Sequence, residues 1–386
     1  MNWLIYLLFI ALSFGQLARI SFLNQVININ LHDVIIFSFI LFAFLRYRQR
    51  LYLFIIKEKL ILLLIAIFSI SLIISFWNFS LLQNSVGLLY LSRLVMYLLF
   101  FISLSYWRRH EKQSEHILKQ GFYIFTSLII FFGLIQYFVY SNLRNLYYLG
   151  WDPHQSRVFA TFFDTTISGL IFSMVILILI SLAIKTPKSL KKKLLIFGFV
   201  GVFALMMLTY SRITYLSSII ACLYYFRNKL KTSYLIISMI IFFGLIWLLP
   251  RPFGEGVKLE RLFTISSRVE DIRSGLQVFS KSPIIGVGYN RIGYVKNQEK
   301  SIIPSHATFG FASSYIIILA STGMAGFLIF LKWLLDLFKR GDNVSQTLMI
   351  LILVASLFDN VFLNSFILIL FFLLYQSRVN LSRRLL

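Results

Sequence analysis

A chain of 386 residues, 59% of them hydrophobic and only 13% charged, carries more apolar surface than a water-soluble core of that length can absorb. Its formal charge of +23 does not mark a nucleic-acid partner, because Lys and Arg recur in short stretches between long apolar runs, which is the positive-inside pattern of membrane topology. The single cysteine, Cys222, excludes a disulfide framework and a cysteine-based metal site.

The first residues have no basic region and no small-residue cleavage site, so they read as a span rather than a removed signal peptide. Spans are expected over roughly 3–20, 31–45, 60–77 and 86–106, near the apolar length that a bilayer crossing demands. Arg46, Arg48, Arg50, Lys57 and Lys59 place the second loop in the cytoplasm, and Trp107-Arg-Arg-His110 opens another cytoplasmic loop. Arg93 is the basic residue lying deep in an apolar run. Spans over roughly 121–140 and 163–184 flank an outer loop rich in Tyr and Trp, which holds Asp152, His154 and Arg157.

Lysines from Lys185 to Lys193 mark the cytoplasm again before a span over roughly 194–209. A tight turn at Thr209-Tyr-Ser-Arg212 sends the next span back to about Phe226. Another span, roughly 233–249, is stopped by Pro250. The polar stretch 250–308 follows, then a span over roughly 309–331 and a hairpin of two spans over roughly 347–376, turning near Asp359. The expected fold is therefore an all-α polytopic membrane protein of about twelve transmembrane helices, with both termini cytoplasmic. It forms one integral-membrane domain in three parts: spans 1–9 over 1–249, a long extracytoplasmic loop with short helices over 250–308, and spans 10–12 with a basic tail over 309–386.

The chemistry is sought in what the spans leave over. There is no Asp-x-Asp motif, no His/Cys ligand spacing and no glycine-rich loop ending in Lys-Ser/Thr, so neither a metal nor a cofactor is expected. Only 14 acidic residues are present, and Asp164 and Asp359 alone lie near span ends in positions suited to a proton relay, which disfavours a cation-coupled carrier. Basic residues outnumber acidic ones in 250–308, on the side where short loops avoid them. Long loops escape that rule, so these charges can be merely solvated.

Arg157 and Arg212 sit at the outer mouths of spans, in short connections. A guanidinium there either snorkels to head-group phosphates or grips a diphosphate with its planar fork. Ser267-Arg-Val-Glu270 has capping-box spacing, so a helix should begin there, with Arg268 near its positive end and Arg273 one turn on. Gly286 and Gly288 allow either an ordinary turn or close approach to a ligand. His306 is the base candidate of the loop, set against a solvated or structural role.

In chain order these features are Gly133-Leu-Ile-Gln136; Arg157-Val-Phe-Ala-Thr-Phe162; Thr209-Tyr-Ser-Arg212; Arg268 followed by Lys281-Ser-Pro-Ile-Ile-Gly-Val-Gly288; and Ser314-Tyr315 leading to Ala320-Ser-Thr-Gly-Met-Ala-Gly326. Together they resemble the O-antigen ligase and O-antigen polymerase superfamily, bacterial surface-polysaccharide glycosyltransferases. The resemblance implies metal-independent, inverting transfer of glycan from a polyprenyl-diphosphate-linked donor to a glycan or lipid-linked acceptor, on the outer face of the cytoplasmic membrane. It implies that Arg157, Arg212, Arg268 and Arg273 supply the diphosphate contacts, with Arg212 and His306 catalytic. The chain departs from the family at one position. The slot usually held by histidine before the Ser-Ser-Tyr run is Ala312, and His306 stands six residues earlier. Two other classes stay open: a flippase for lipid-linked saccharide, which would spread cations through a central passage, and a structural membrane scaffold.

Overall fold

The computed structural model describes residues 1–22, 26–250, 255–259, 263–296 and 310–378. It is 78% helical. Helix α1 (Asn2–Phe14) ends in a 3-10 turn and a two-stranded antiparallel hairpin, β1 (Arg19–Phe22) and β2 (Ile27–Asn30), with Arg19 opposite Asn30. Then come α2 (Leu31–Lys57), α3 (Lys59–Ile74), α4 (Leu81–His110), α5 (Ser114–Val139), α6 (Thr165–Lys185), α7 (Leu190–Met207), α8 (Arg212–Phe226) and α9 (Thr232–Trp247). The polar stretch contributes α10 (Phe263–Lys281) and α11 (Ile292–Lys296). The C-terminal part contains α12 (Ser314–Arg340), α13 (Asn343–Ser356) and α14 (Ser365–Arg378).

Helix starts follow from side chains that can satisfy the free N–H groups of a first turn. Ser80 and Gln83 close a reciprocal box at α4, and Asn30 and Asp33 do so at α2. Asp164 accepts from Thr166 and Ile167 at α6, Ser211 from Thr214 at α8, and Asp342 from Ser345 at α13. The middle of the bundle is apolar. Every residue of α14 from Phe366 to Gln376 is buried, and so is α6 from Thr165 to Leu179. By contrast, α9 buries none of its residues and stands at the rim.

Each expected span coincides with one of these helices. Among the described residues, five segments are long and apolar enough to cross a membrane on their own: Lys59–Asn78, Leu81–His110, Ser114–Val139, Thr165–Lys185 and Ser314–Arg340. Four others, including Ser365–Arg378, are shorter apolar helices. Several boundaries differ from expectation: α1 stops at Phe14, where the first span was expected to reach residue 20, and two helices run on well past their expected ends. Helix α2 continues beyond residue 45 through its arginines to Lys57, because Leu51 and Ile55 are buried and extend its packing face. It absorbs the change at Arg48, whose backbone is non-helical with φ 41°. Helix α12 likewise continues to Arg340 and breaks internally at Gly323.

The connections sort into two poles. At one, the basic loops meet: Arg46 lies 3.7 Å from Glu111, Arg340 lies 3.1 Å from Glu58, and Arg227 donates to Asn343 at 3.2 Å. At the other gather the β-hairpin, the 141–164 connection, α10, α11 and the α13–α14 turn, around a cavity.

Candidate functional site

The floor of that second pole is built where two glycine motifs clasp each other. Gly323 adopts φ 66° and ψ −171°, which opens α12. A continuous helix would bond the N–H groups of Met324 and Ala325 to the carbonyls of Ala320 and Ser321. Here the freed carbonyls accept instead from Val287 and Gly288, each at 3.0 Å. The freed N–H groups donate to Pro283 at 2.9 Å and Ile284 at 3.2 Å. Two lost helical bonds are thus replaced by four bonds to the 283–288 segment, so the four backbone groups freed by the break are all paired. The approach leaves no room for side chains. A Cβ on Gly286 would stand 2.3 Å from the Ser321 carbonyl carbon, and one on Gly323 would stand 2.3 Å from that of Ile284. Ser71 on α3 adds a hydrogen bond to the Ser321 carbonyl at 2.6 Å.

Above the clasp lies a cavity of about 620 Å³. Its cations are Arg19, Arg93 and Arg268, and its carboxylates are Asp152, Asp164, Asp271 and Asp359. Between them stand aromatic rings, among them Tyr90, Trp151 and Tyr289, and amides, among them Asn28, Asn290 and Asn364. Such a lining can pair with anionic groups, hydrogen-bond hydroxyls and stack against sugar rings. No group of three His, Cys, Asp or Glu among the described residues is arranged to hold a metal ion.

Of the four arginines expected to contact the diphosphate, Arg268 is the one that lines this cavity. Its Nη2 lies 3.8 Å from Asp359 Oδ2, while its Nη1 is shielded from solvent without a hydrogen-bond partner. Arg157 is buried behind the wall, 4% exposed and within electrostatic reach of Asp152 and Asp164, and donates to the carbonyls of Thr209 at 2.8 Å and Tyr210 at 3.1 Å. Arg212 opens α8, half-buried, and donates to the Leu259 carbonyl at 3.2 Å. Segment 255–259 thus touches both, since Gly256 lies directly against the Arg157 side chain. Neither Arg157 nor Arg212 reaches the cavity wall, and Arg273 is exposed on α10 away from it. His306 lies outside the described residues.

Two features of the cavity escaped the sequence reading. The first is the partner of Arg93. Asp33 holds its Nε at 3.1 Å and Nη2 at 3.0 Å, and also accepts from the Tyr97 hydroxyl. His32, one residue earlier, is fully buried against the Phe366 ring at 4.8 Å. The signal was present as the Asn30-to-Asp33 spacing of a capping box, which puts Asp33 on the first turn of α2. The second is the meeting of Asp164 with Asp359, residues 195 positions apart that no local pattern links. Burial raises the Asp359 carboxyl from 3.8 to about 7; the charge of Asp164 adds to the rise, and Arg268 opposes it. Asp164 moves up as well, chiefly by burial, although its two N-cap hydrogen bonds favour the charged form.

Residues 197–331 match the family model of the O-antigen ligase domain. Over that stretch the chain is similar to the O-antigen ligase domain. The matched stretch is about a third of the chain, and it contains α8, α10, both halves of the clasp and Arg268. A search of curated proteins found no match to the chain. The matched domain and the long apolar helices together support a multi-pass membrane protein of the O-antigen ligase type.

Proposed function

We propose that this chain transfers or polymerises glycan from a polyprenyl-diphosphate-linked donor, by inversion and without a metal ion, in the cavity above the clasp. The observation that carries this reading is the lining itself: cations, amides and aromatic rings gathered at one pole, beside the O-antigen ligase domain and opposite the basic loops. The charge bias of those loops makes the cavity pole extracytoplasmic and both termini cytoplasmic. The densely apolar middle, with α6 and α14 buried along their length, favours transfer at one face over passage through the bundle, and so over a flippase.

In the proposed reaction an acceptor hydroxyl attacks the anomeric carbon while the bond from that carbon to the diphosphate oxygen breaks. The diphosphate departs with the bonding electrons. Arg268 neutralises the growing charge with its unpartnered Nη1. Arg157 and Arg212, expected from sequence to grip the diphosphate, are already engaged by backbone carbonyls and frame the site by fixing the 209–212 turn against 255–259. Arg212 would contact the leaving group only by giving up Leu259, and Arg273 serves the outer approach. His306 takes the acceptor proton; it stands four residues before Gly310, a residue of the cavity wall.

Transfer from a lipid-linked donor in membrane vesicles tests the scheme. Arg268→Ala should lower the rate by about 10²–10³-fold, the usual effect of deleting one fixed charge stabiliser, and EDTA should leave the wild-type rate unchanged. Full activity in Arg268→Ala, or a strict metal requirement, would reject it.

A further inference from the structure

Arg291 is the one arginine among the described residues whose side chain is wholly enclosed and whose three guanidinium nitrogens all lack an acceptor. It does not line the donor cavity, although its neighbours Tyr289, Asn290 and Ile292 do. Its side chain runs through a slot left by two glycines. A Cβ on Gly288 would meet its Cγ at 3.1 Å, and one on Gly87 would meet its Nε at 2.9 Å. The guanidinium ends 4.4 Å from the centre of the Phe79 ring, at the corner between α3 and α4. Phe79 stands between Trp77 and Leu81, which are 91% and 78% exposed. An exposed Trp beside exposed leucines is the signature of the head-group level of a bilayer, where lipid phosphates lie.

A ring face satisfies only part of a guanidinium, and a buried cation without an anion is costly. Burial accordingly weakens the hold of Arg291 on its proton. No described residue supplies the complement, which would be a compact anion with several acceptor oxygens, able to take two parallel N–H bonds. We propose that Arg291 anchors the phosphate of a membrane phospholipid at the α3–α4 corner, a lipid site separate from the donor cavity. The site does not depend on the transfer reaction.

The test uses the purified full chain, stripped of lipid by detergent exchange, and follows its thermal midpoint. Phosphatidylglycerol micelles should raise Tm by about 2–4 °C through binding to the native state, whereas diacylglycerol, which lacks the phosphate, should not. Arg291→Lys should keep part of the shift and Arg291→Met none, while Arg268→Gln, at the donor cavity, should keep all of it. An equal shift in Arg291→Met would overturn the proposal. So would a full shift with inorganic phosphate alone, which would make this an ion site. A response abolished by Arg268→Gln would overturn it too, because the lipid would then belong to the donor cavity. If Arg291→Met does not fold, Arg291→Lys and native mass spectrometry of the wild type decide. Co-purifying phosphatidylglycerol that falls several-fold in Arg291→Lys supports the site, and equal retention rejects it.

Discussion

At the scale of residues, the cavity depends on charges that are expensive unless matched. Arg93 and Asp33 form a two-point pair at its wall, and Tyr97 donates to the same carboxylate. Deleting Asp33 leaves the largely buried Arg93 with only the Tyr97 hydroxyl and the Asn28 carbonyl, and no carboxylate. Asp33→Ala should therefore destabilise the protein by about 3–5 kcal/mol. The double variant Asp33→Ala/Arg93→Met should recover part of that loss, as thermal unfolding in detergent would report. Asp359 behaves in the opposite sense. Its native carboxyl holds a proton up to about pH 7, against 3.8 for an ordinary aspartate. The native state thus binds more protons than the unfolded chain between those values, so stability is greatest on the acid side and falls as pH rises through the window. The groups facing Asp359 are Asp164, Arg268 and Thr166, with Asn360 donating its own N–H. Asp359→Asn should flatten most of the slope, leaving the smaller contribution of Asp164; an unchanged slope would place the titration elsewhere.

At the scale of elements, the clasp between 283–288 and the open turn of α12 is what gives the two glycine motifs their meaning. The sequence shows Gly286, Gly288 and Gly323 as candidate turns, but not that the first segment inserts into the break made by the last. That pairing exists only once α10 has folded back beside α12. Substitutions separate the two kinds of glycine. Gly286→Ala and Gly323→Ala combine a positive φ with contacts of 2.3 Å to backbone, and each should cost well over about 1 kcal/mol and abolish transfer. Gly244→Ala in α9 meets nothing within 4 Å and should be neutral or stabilising by up to about 1 kcal/mol. Comparing Tm and activity of the three variants checks the assignment. The one helix start read from a cap did not hold: Ser267-Arg-Val-Glu270 has capping-box spacing, but α10 already begins at Phe263 and carries Ser267 in its interior.

At the scale of the molecule, the apolar runs and the Lys/Arg bias foretold the helices and their grouping into two poles, since both follow from partition into a bilayer. The site was less legible. Arg157 and Arg212, conspicuous as charges at span ends, hold backbone carbonyls. Asp33 and Arg19, lost among many polar residues, meet at or beside the cavity through packing that only the whole bundle defines. In the proposed function the lipid-linked donor reacts in this cavity. Photo-cross-linking with a diazirine-bearing polyprenyl-diphosphate glycan, followed by peptide mapping, addresses it directly. Labels should fall on peptides containing Trp151, Tyr289 and Asn364 and be competed by excess inorganic pyrophosphate. Labels confined to the basic-loop pole, with transfer intact, would contradict the account.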